Sequence, residues 1–314
     1  MQELGDAWYG YGRGVVLAID GDGVDTVLSY VSPAEACLPD DPILFKSATC
    51  QDGRLYACTQ TEVLVYSLPD FELLHYVSLP FFNDVHHVVP TAVGTMLVAN
   101  SGLEMVVEIT TAGEVVAVHN VFGDDPWATF SPDRDYRKGV DLKPHRAHPN
   151  FVFQLGDEPF ATRFECRDAV SLRDPSRRID LGGERVHDGV VHGDHIYFTS
   201  VDGHVVVVDR VSLRVVDRLA LAAHHGSDAV LGWCRGLLVG DDHVWVGFSR
   251  IRATRFRQTL SWVRTGAAAF HPTRIARYRL DDGSCEAEMD LEPYGLNAVF
   301  SVLATSDHIP SGAR

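Results

Sequence analysis

Histidine falls at one repeated place along this chain. His86 and His87 stand in FNDVHHV, His148 stands in HRAHPNFVF with His145 three residues before it, and His187 stands in ERVHDG beside Asp188. Each begins a short apolar run that ends at a glycine turn, at Gly94, Gly156 and Gly193. The chain has 15 histidines in 314 residues, so some clustering is ordinary, but recurrence at one register in three consecutive units is not. Neutral imidazole is the commonest side-chain metal ligand. Imidazoles from adjacent strands form a facial set that leaves positions open for water or substrate, which suits Zn, Fe or Mn. The candidate ligands are therefore His86, His87, His145, His148 and His187, and the candidate cofactor is a divalent transition metal (Fe, Mn or Zn). Successive strand residues face opposite ways, so only one of His86 and His87 can join such a set. Counting back from the glycine turns favours His86, which like His148 lies eight residues before its turn. Asp84 is placed to orient an imidazole from behind. The alternative is that these histidines line a channel, hydrogen-bonded and without metal.

Arg235, in GWCRG, occupies the corresponding place in a later unit. A guanidinium on an interior strand must be paired or face a substrate, and it can grip a carboxylate or phosphate bidentately. Lys46, Asn297, Arg250 and Arg252 are further candidates for substrate contact, the last two from GFSRIR. Without metal, His187 and Asp188 would form an acid/base relay, with Arg235 stabilising an oxyanion. Arginines that tie structural units together through Asp are the competing explanation. Glu158 and Glu184 are unranked acid/base partners. Asp20 to Gly23 reads as a hairpin turn, since the Glu that closes a Ca loop is missing. Cys234 reads as a small buried hydrophobe without a neighbouring base. No GxSxG, phosphate-cradling glycine loop or dinucleotide fingerprint occurs.

The elements that would position these residues repeat. A short strand, a Gly turn and three further apolar strands recur from Gly53, Gly94, Gly156, Gly193 and Gly240. Val-, Ile-, Leu-, Tyr- and Phe-rich strands split by Gly/Asp/Asn turns are antiparallel β signals. No segment sustains a 3.6-residue period. Four-stranded units in series indicate an all-β fold, a β-propeller, in which a lone sheet cannot cover both faces and must stack on its neighbours. Five units are complete. The strand-like segments GVVLAID and DTVLSYV at the start and LNAVFSVLA (296–304) at the end suggest a sixth blade closed by the two termini; five blades with the terminal strands patching a rim is the alternative. The expectation is one propeller domain, 1–314, whose first strands line a central channel, with insertions near 122–147, 222–233 and 253–273. The first two insertions are expected to cap one face.

Composition sets outer limits. The chain is 46% hydrophobic and 22% charged, with a formal net charge of −16. That excess of acid argues against nucleic acid or an anionic membrane as the main partner, and no apolar run reaches the roughly 20 residues of a membrane span. The first residues carry neither the basic nor the apolar region of a signal peptide. Six cysteines without CxxC or dense spacing fit reduced thiols of a cytosolic protein.

FNDVHHV, NSGLEMVVEI, HRAHPNFVF, ERVHDG, IYFTSVDG, GWCRG, VGFSRIR and YGLNAVFSV together resemble a largely uncharacterised bacterial family of β-propeller proteins, over nearly the whole chain. A more distant likeness runs to small-molecule enzymes on propellers: plant-type glutaminyl cyclases, streptogramin lyases and lactonases. The resemblance implies a propeller with a metal or polar cluster at its channel and a biosynthetic setting. The lactonase type holds Ca²⁺ through Asn, Asp and Glu. Histidine in that place here implies a softer metal or none.

Together these features point to a metal-dependent lyase, cyclase or isomerase acting on a small, polar, anionic metabolite. A metal-free His/Arg acid–base enzyme and a non-catalytic ligand-binding or scaffold propeller are the alternatives.

Overall fold

A computed structural model describes residues 11–21, 23–138, 142–224, 231–250 and 271–304. The described chain packs as two compact units, one within Tyr11–Arg178 and one within Ile179–Arg314.

The N-terminal unit begins with a hairpin, β1 (Gly14–Asp20) and β2 (Gly23–Tyr30). Three four-stranded antiparallel sheets follow. The first holds β3 (Thr49–Gln51), β4 (Arg54–Cys58), β5 (Val63–Ser67) and β6 (Leu73–Val77). The second holds β7 (Val85–Pro90), β8 (Met96–Asn100), β9 (Met105–Ile109) and β10 (Val115–Asn120). The third holds β11 (Val152–Leu155), β12 (Glu158–Arg163), β13 (Asp168–Ser171) and β14 (Arg178–Asp180). The C-terminal unit holds two more: β15 (Val186–His192), β16 (His195–Ser200), β17 (His204–Asp209) and β18 (Val215–Ala220), then β19 (Trp233–Val239), β20 (His243–Ser249), β21 (Arg274–Arg279) and β22 (Cys285–Asp290).

Each sheet runs first strand to fourth in chain order, the meander of a propeller blade. Middle strands such as β8 (MLVAN) are buried along their whole length, whereas the fourth strands β10 and β22 contain no buried residue. Burial on both faces explains why the middle strands read as continuous apolar runs rather than as alternation. In the N-terminal unit Tyr56, Val63 and Val65 of the first sheet pack with Val88, Met96, Val98 and Val107 of the second. Tyr136 of the 122–147 insertion joins that core, with Trp127, Phe130 and Leu142 against it. In the C-terminal unit Tyr197, Val205 and Val207 pack with Val244, Val246 and Tyr278. All six cysteines are unbridged. Among the described residues no helix is long and apolar enough to cross a membrane.

Among the described residues the fold is an all-β propeller of five four-stranded blades and not six. The termini spend their hydrogen bonds and apolar faces elsewhere. The β1–β2 hairpin places Val16, Leu28 and Tyr30 against Phe45 and against Leu55, Leu64 and Tyr66 of the first sheet. It is pinned by the fully buried Glu62, whose Oε1 accepts from Tyr30 (2.6 Å) and Tyr76 (3.0 Å) and whose Oε2 accepts from Thr59 (2.6 Å) and Ser32. Residues 296–304 form no strand. There the Val299 N–H donates to Ser249 Oγ at 3.0 Å, and that hydroxyl donates back to the Val299 carbonyl at 3.1 Å, so a side chain of β20 replaces a ladder.

Candidate functional site

Three first strands carry a β-bulge near their N-terminal ends. In β7, Val85 pairs with Asn100 and His87 with Ala99, leaving His86 as the extra residue. In β15 the register breaks between Val186 and Gly189, around His187 and Asp188. In β19 it breaks between Arg235 and Leu237, at Gly236, whose φ is 60°. A bulge frees one residue from the ladder and re-aims its side chain, and bulges are over-represented beside functional sites.

In the N-terminal unit the bulge separates the two adjacent histidines. The Nδ1 of His86 lies 2.7 Å from the Asp84 carbonyl oxygen, and its Nε2 lies 3.4 Å from Lys46 Nζ. A carbonyl only accepts, so Nδ1 carries the proton and Nε2 turns its lone pair to the ammonium. His87 stays in the ladder. The Val152 N–H donates to His87 Nδ1 at 3.3 Å, which puts the proton on Nε2, donated to Thr49 Oγ1 at 3.0 Å. That hydroxyl donates onward to the Val88 carbonyl at 2.9 Å. His87 thus ties β3, β7 and β11 together through both ring nitrogens.

Asp84 is the centre of the group. Its Oδ1 accepts from Lys46 Nζ at 3.2 Å, while Oδ2 lies 3.8 Å from His145 Nε2 and 3.9 Å from His148 Nδ1. One donor atom from each of Asp84, His145 and His148 falls within 4.8 Å of the others. The His145 and His148 ring centroids are 4.7 Å apart, and His86 meets His148 edge-on at 4.6 Å. The Asp84 and His148 side chains keep 16% and 14% of their exposure, so the group is reachable. Burial pushes the Asp84 carboxyl up, but Lys46, His86, His148 and Lys143 together hold it well below the usual carboxylate range.

The loop that presents His145 and His148 is held by an acid. Glu104 accepts from three successive backbone N–H groups, Arg146 (2.6 Å), Ala147 (2.8 Å) and His148 (3.1 Å), and its Oε1 stands 3.8 Å from His145 Nδ1. Asp84, Glu104 and His148 all have positive φ, at 51°, 59° and 55°. Such backbone is uncommon outside glycine and costs on the order of 1 kcal/mol or more per residue, and it gathers at functional sites. The segment before Asp84 is clamped by Asn100, which accepts from Asn83 N–H at 2.8 Å and donates to the Phe81 carbonyl at 2.9 Å. The amide of Asn83 donates to the Tyr136 carbonyl at 2.7 Å, fastening the 122–147 insertion to the site. The role of Glu104 was missed from sequence. The signal for it was an acid inside the otherwise apolar run SGLEMVV, where burial demands partners.

The C-terminal unit holds a second constellation. The Nδ1 of His187 lies 3.0 Å from Asp188 Oδ2, and the same oxygen accepts the Gly236 N–H at 3.0 Å. The Asp188 N–H donates to Thr199 Oγ1 at 3.2 Å. The Arg235 guanidinium carbon lies over the Phe300 ring, 4.5 Å from its centroid, and the His187 ring centroid lies 6.5 Å from that of the same phenyl. His187, Asp188 and Arg235 are all buried. Beside them, burial pushes the Cys234 thiol well above its ordinary value, so it is a poor nucleophile.

The remaining candidates are placed as follows. Arg250 pairs with Glu292, whose Oε1 also accepts the Thr273 N–H at 2.9 Å, so its charge braces its own sheet. Arg252 lies outside the described residues, as does most of the 253–273 insertion. Asn297 is half-buried in the 296–304 segment. Glu158 accepts from Ser171 Oγ at 2.5 Å and pairs with Arg177, and Glu184 stands 3.9 Å from Arg185.

No protein-family model matches the sequence, and no curated protein matches it either. Among solved structures, the chain is similar to a protein of unknown function from Bacteroides caccae, with a TM-score of 0.58 at 12% identity over 92% of this chain and 94% of that one. A streptogramin B lyase gives a TM-score of 0.48 at 10% identity, over 78% of this chain and 68% of that one. Virginiamycin B lyase from Staphylococcus aureus gives 0.47 at 11%, over 78% and 69%. Likeness at these identities concerns fold and assigns no chemistry; the β-propeller class rests on the four-stranded meanders described above.

Proposed function

We propose that Asp84, His145 and His148 hold a divalent transition metal and that the chain is an enzyme acting there on a small, polar, anionic metabolite. The observation that carries this reading is the convergence of one carboxylate oxygen and two imidazole nitrogens within 4.8 Å. Bonds near 2.1 Å would bring neighbouring donors to about 3–3.4 Å. The observed 3.8 and 3.9 Å contacts need to close by about half an ångström, within side-chain adjustment. Two imidazoles and one carboxylate with open positions suit Fe(II), Mn(II) or Zn(II).

When bound, such an ion polarises a substrate oxygen or activates water. The chain's own residues supply the rest. Lys46 occupies Asp84 Oδ1 and thereby leaves Oδ2 to face His145 and His148. Its ammonium also favours an anionic substrate beside the ion. Lys46 Nζ and His86 Nε2, 3.4 Å apart, form a donor–acceptor pair able to pass the proton that lyase, cyclase or isomerase chemistry moves. Glu104 keeps the 146–148 backbone in place and faces the His145 ring, as an outer carboxylate does in metal sites.

Elemental analysis of the purified chain beside a His145→Ala/His148→Ala variant tests the reading. Near-stoichiometric Fe, Mn or Zn that is lost in the variant is expected. Failure of each ion to bind the wild type, even after reconstitution, would remove the metal and leave the acid–base alternative.

A further inference from the structure

The charges that meet around Asp84 do not balance once a divalent ion joins them. Lys46 Nζ lies 3.2 Å from Asp84 Oδ1, with the lysine side chain 4% exposed and the carboxylate 16%. A buried ammonium needs a partner, and the partner here is a group that the ion needs as well. A cation on Oδ2 therefore sits across one carboxylate from a second cation, and like charges so close repel. His86 does not relieve this. Its Nδ1 donates to the Asp84 carbonyl at 2.7 Å and its Nε2 accepts from Lys46 at 3.4 Å, so the ring is neutral. Lys143 adds positive charge nearby but is exposed, where water and salt screen it. The second acid, Glu104, accepts three backbone N–H groups and stands 3.8 Å from His145 Nδ1. Lys46, Asp84 and Glu104 together carry one negative charge. A divalent ion turns that into one positive charge, in a group whose side chains are at most 16% exposed. An uncompensated charge in such surroundings is costly. One monovalent anion on an open position of the ion removes it, whereas a dianion overshoots.

We propose that Lys46 couples the metal to the substrate: its ammonium weakens a divalent ion at Asp84, His145 and His148 until a small monovalent carboxylate binds that ion, so that metal and carboxylate bind cooperatively. The inference rests on the metal reading above and adds to it the charge of the substrate and the residue that enforces it. By linkage, the carboxylate raises the affinity for the metal by the same factor as the metal raises the affinity for the carboxylate. A neutral analogue of the same shape gains nothing from the coupling.

The test uses the full chain stripped of metal with a chelator and titrated with Co(II), whose visible absorption follows binding. Titrations run in perchlorate and in acetate at equal ionic strength and fixed pH, corrected for the acetate complex formed in solution. Wild type is expected to bind Co(II) about tenfold more tightly in acetate, and acetamide added to the perchlorate buffer is expected to leave the affinity unchanged. Lys46→Met is expected to bind Co(II) about tenfold more tightly than wild type in perchlorate and to lose most of the acetate effect. Lys46→Arg keeps the charge and is expected to keep the effect. A lysine that merely supported Asp84 gives the opposite sign, weaker Co(II) binding in Lys46→Met, and that result would overturn the proposal. So would a wild-type affinity that acetate leaves unchanged, a result that needs no variant to fold and that spares the metal reading, since Co(II) still binds. Absence of Co(II) binding in every buffer removes the metal reading itself, and the coupling with it.

Discussion

His86 and His87 are neighbours in sequence with different work to do, and substitution should separate them. His87 satisfies Val152 N–H and Thr49 in a buried place. His87→Ala is expected to destabilise the fold by about 1–3 kcal/mol, because both partners lose a buried bond. It should leave metal content per folded molecule unchanged, as denaturant melts and elemental analysis can check. His86→Ala removes one acceptor of Lys46, leaving Asp84 Oδ1, and is expected to spare metal binding while lowering any activity. Glu104 acts at the same scale. Glu104→Gln keeps the volume but turns an amide donor toward N–H groups that need acceptors. An affinity loss of about 10–100-fold for Zn(II) or Mn(II) is expected by calorimetry, as for other groups that support metal ligands. An unchanged affinity would mean that the 146–148 loop holds its shape without the carboxylate.

The elements show which parts of the fold could be read beforehand. Five repeats were legible because each ends its first strand at a glycine turn and carries two apolar middle strands. Among the described residues the expected sixth blade does not form. GVVLAID, DTVLSYV and LNAVFSVLA have strand composition, but composition does not say that the hairpin anchors on Glu62 or that Val299 bonds to Ser249. The bulges were invisible as well. One extra residue in a strand changes no composition, and alternation led to the rule that only one of two neighbours can face a site. At His187–Asp188 the register break lifts that rule. His145 and His148 were legible by type and spacing, whereas the centring carboxylate Asp84 was read only as an orienting group. Gly102 offers an element-level test. A Cβ there would meet Asn83 Oδ1 at 2.0 Å and the Asn83 carbonyl at 2.7 Å, so Gly102→Ala must displace the segment that carries Asp84. A destabilisation of about 1–3 kcal/mol together with weaker metal binding is expected. A normal melt with normal metal affinity would show that this close approach does not set the position of Asp84.

At the scale of the whole molecule, stability should follow pH through an ion pair that takes no part in the proposed metal site. In the C-terminal unit, His204 Nδ1 stands 3.1 Å from Asp202 Oδ1. The hydrogen bond to Asp202 raises the His204 pKa against its burial. Burial pushes Asp202 up, yet His204 and Ser200 bring it below its ordinary value. A raised histidine stabilises fully below its unfolded value and loses that contribution as pH rises through the folded one. A lowered carboxyl stabilises above its unfolded value and loses it as pH falls through the folded one. The pair therefore contributes most between about pH 4 and pH 6.5. The melting temperature of His204→Gln should trail the wild type most near pH 5 and converge with it above neutrality. An offset independent of pH would mean packing rather than charge. The net charge of −16 narrows the partners in a general way, but the account of the molecule rests on Asp84, His145 and His148. Anomalous diffraction from crystals of the reconstituted chain, collected at the absorption edge of the bound metal, tests it most directly. A single strong peak bonded to Asp84, His145 and His148 is expected. A crystal of metal-loaded protein with no peak there, or with its peak on other residues, would contradict it.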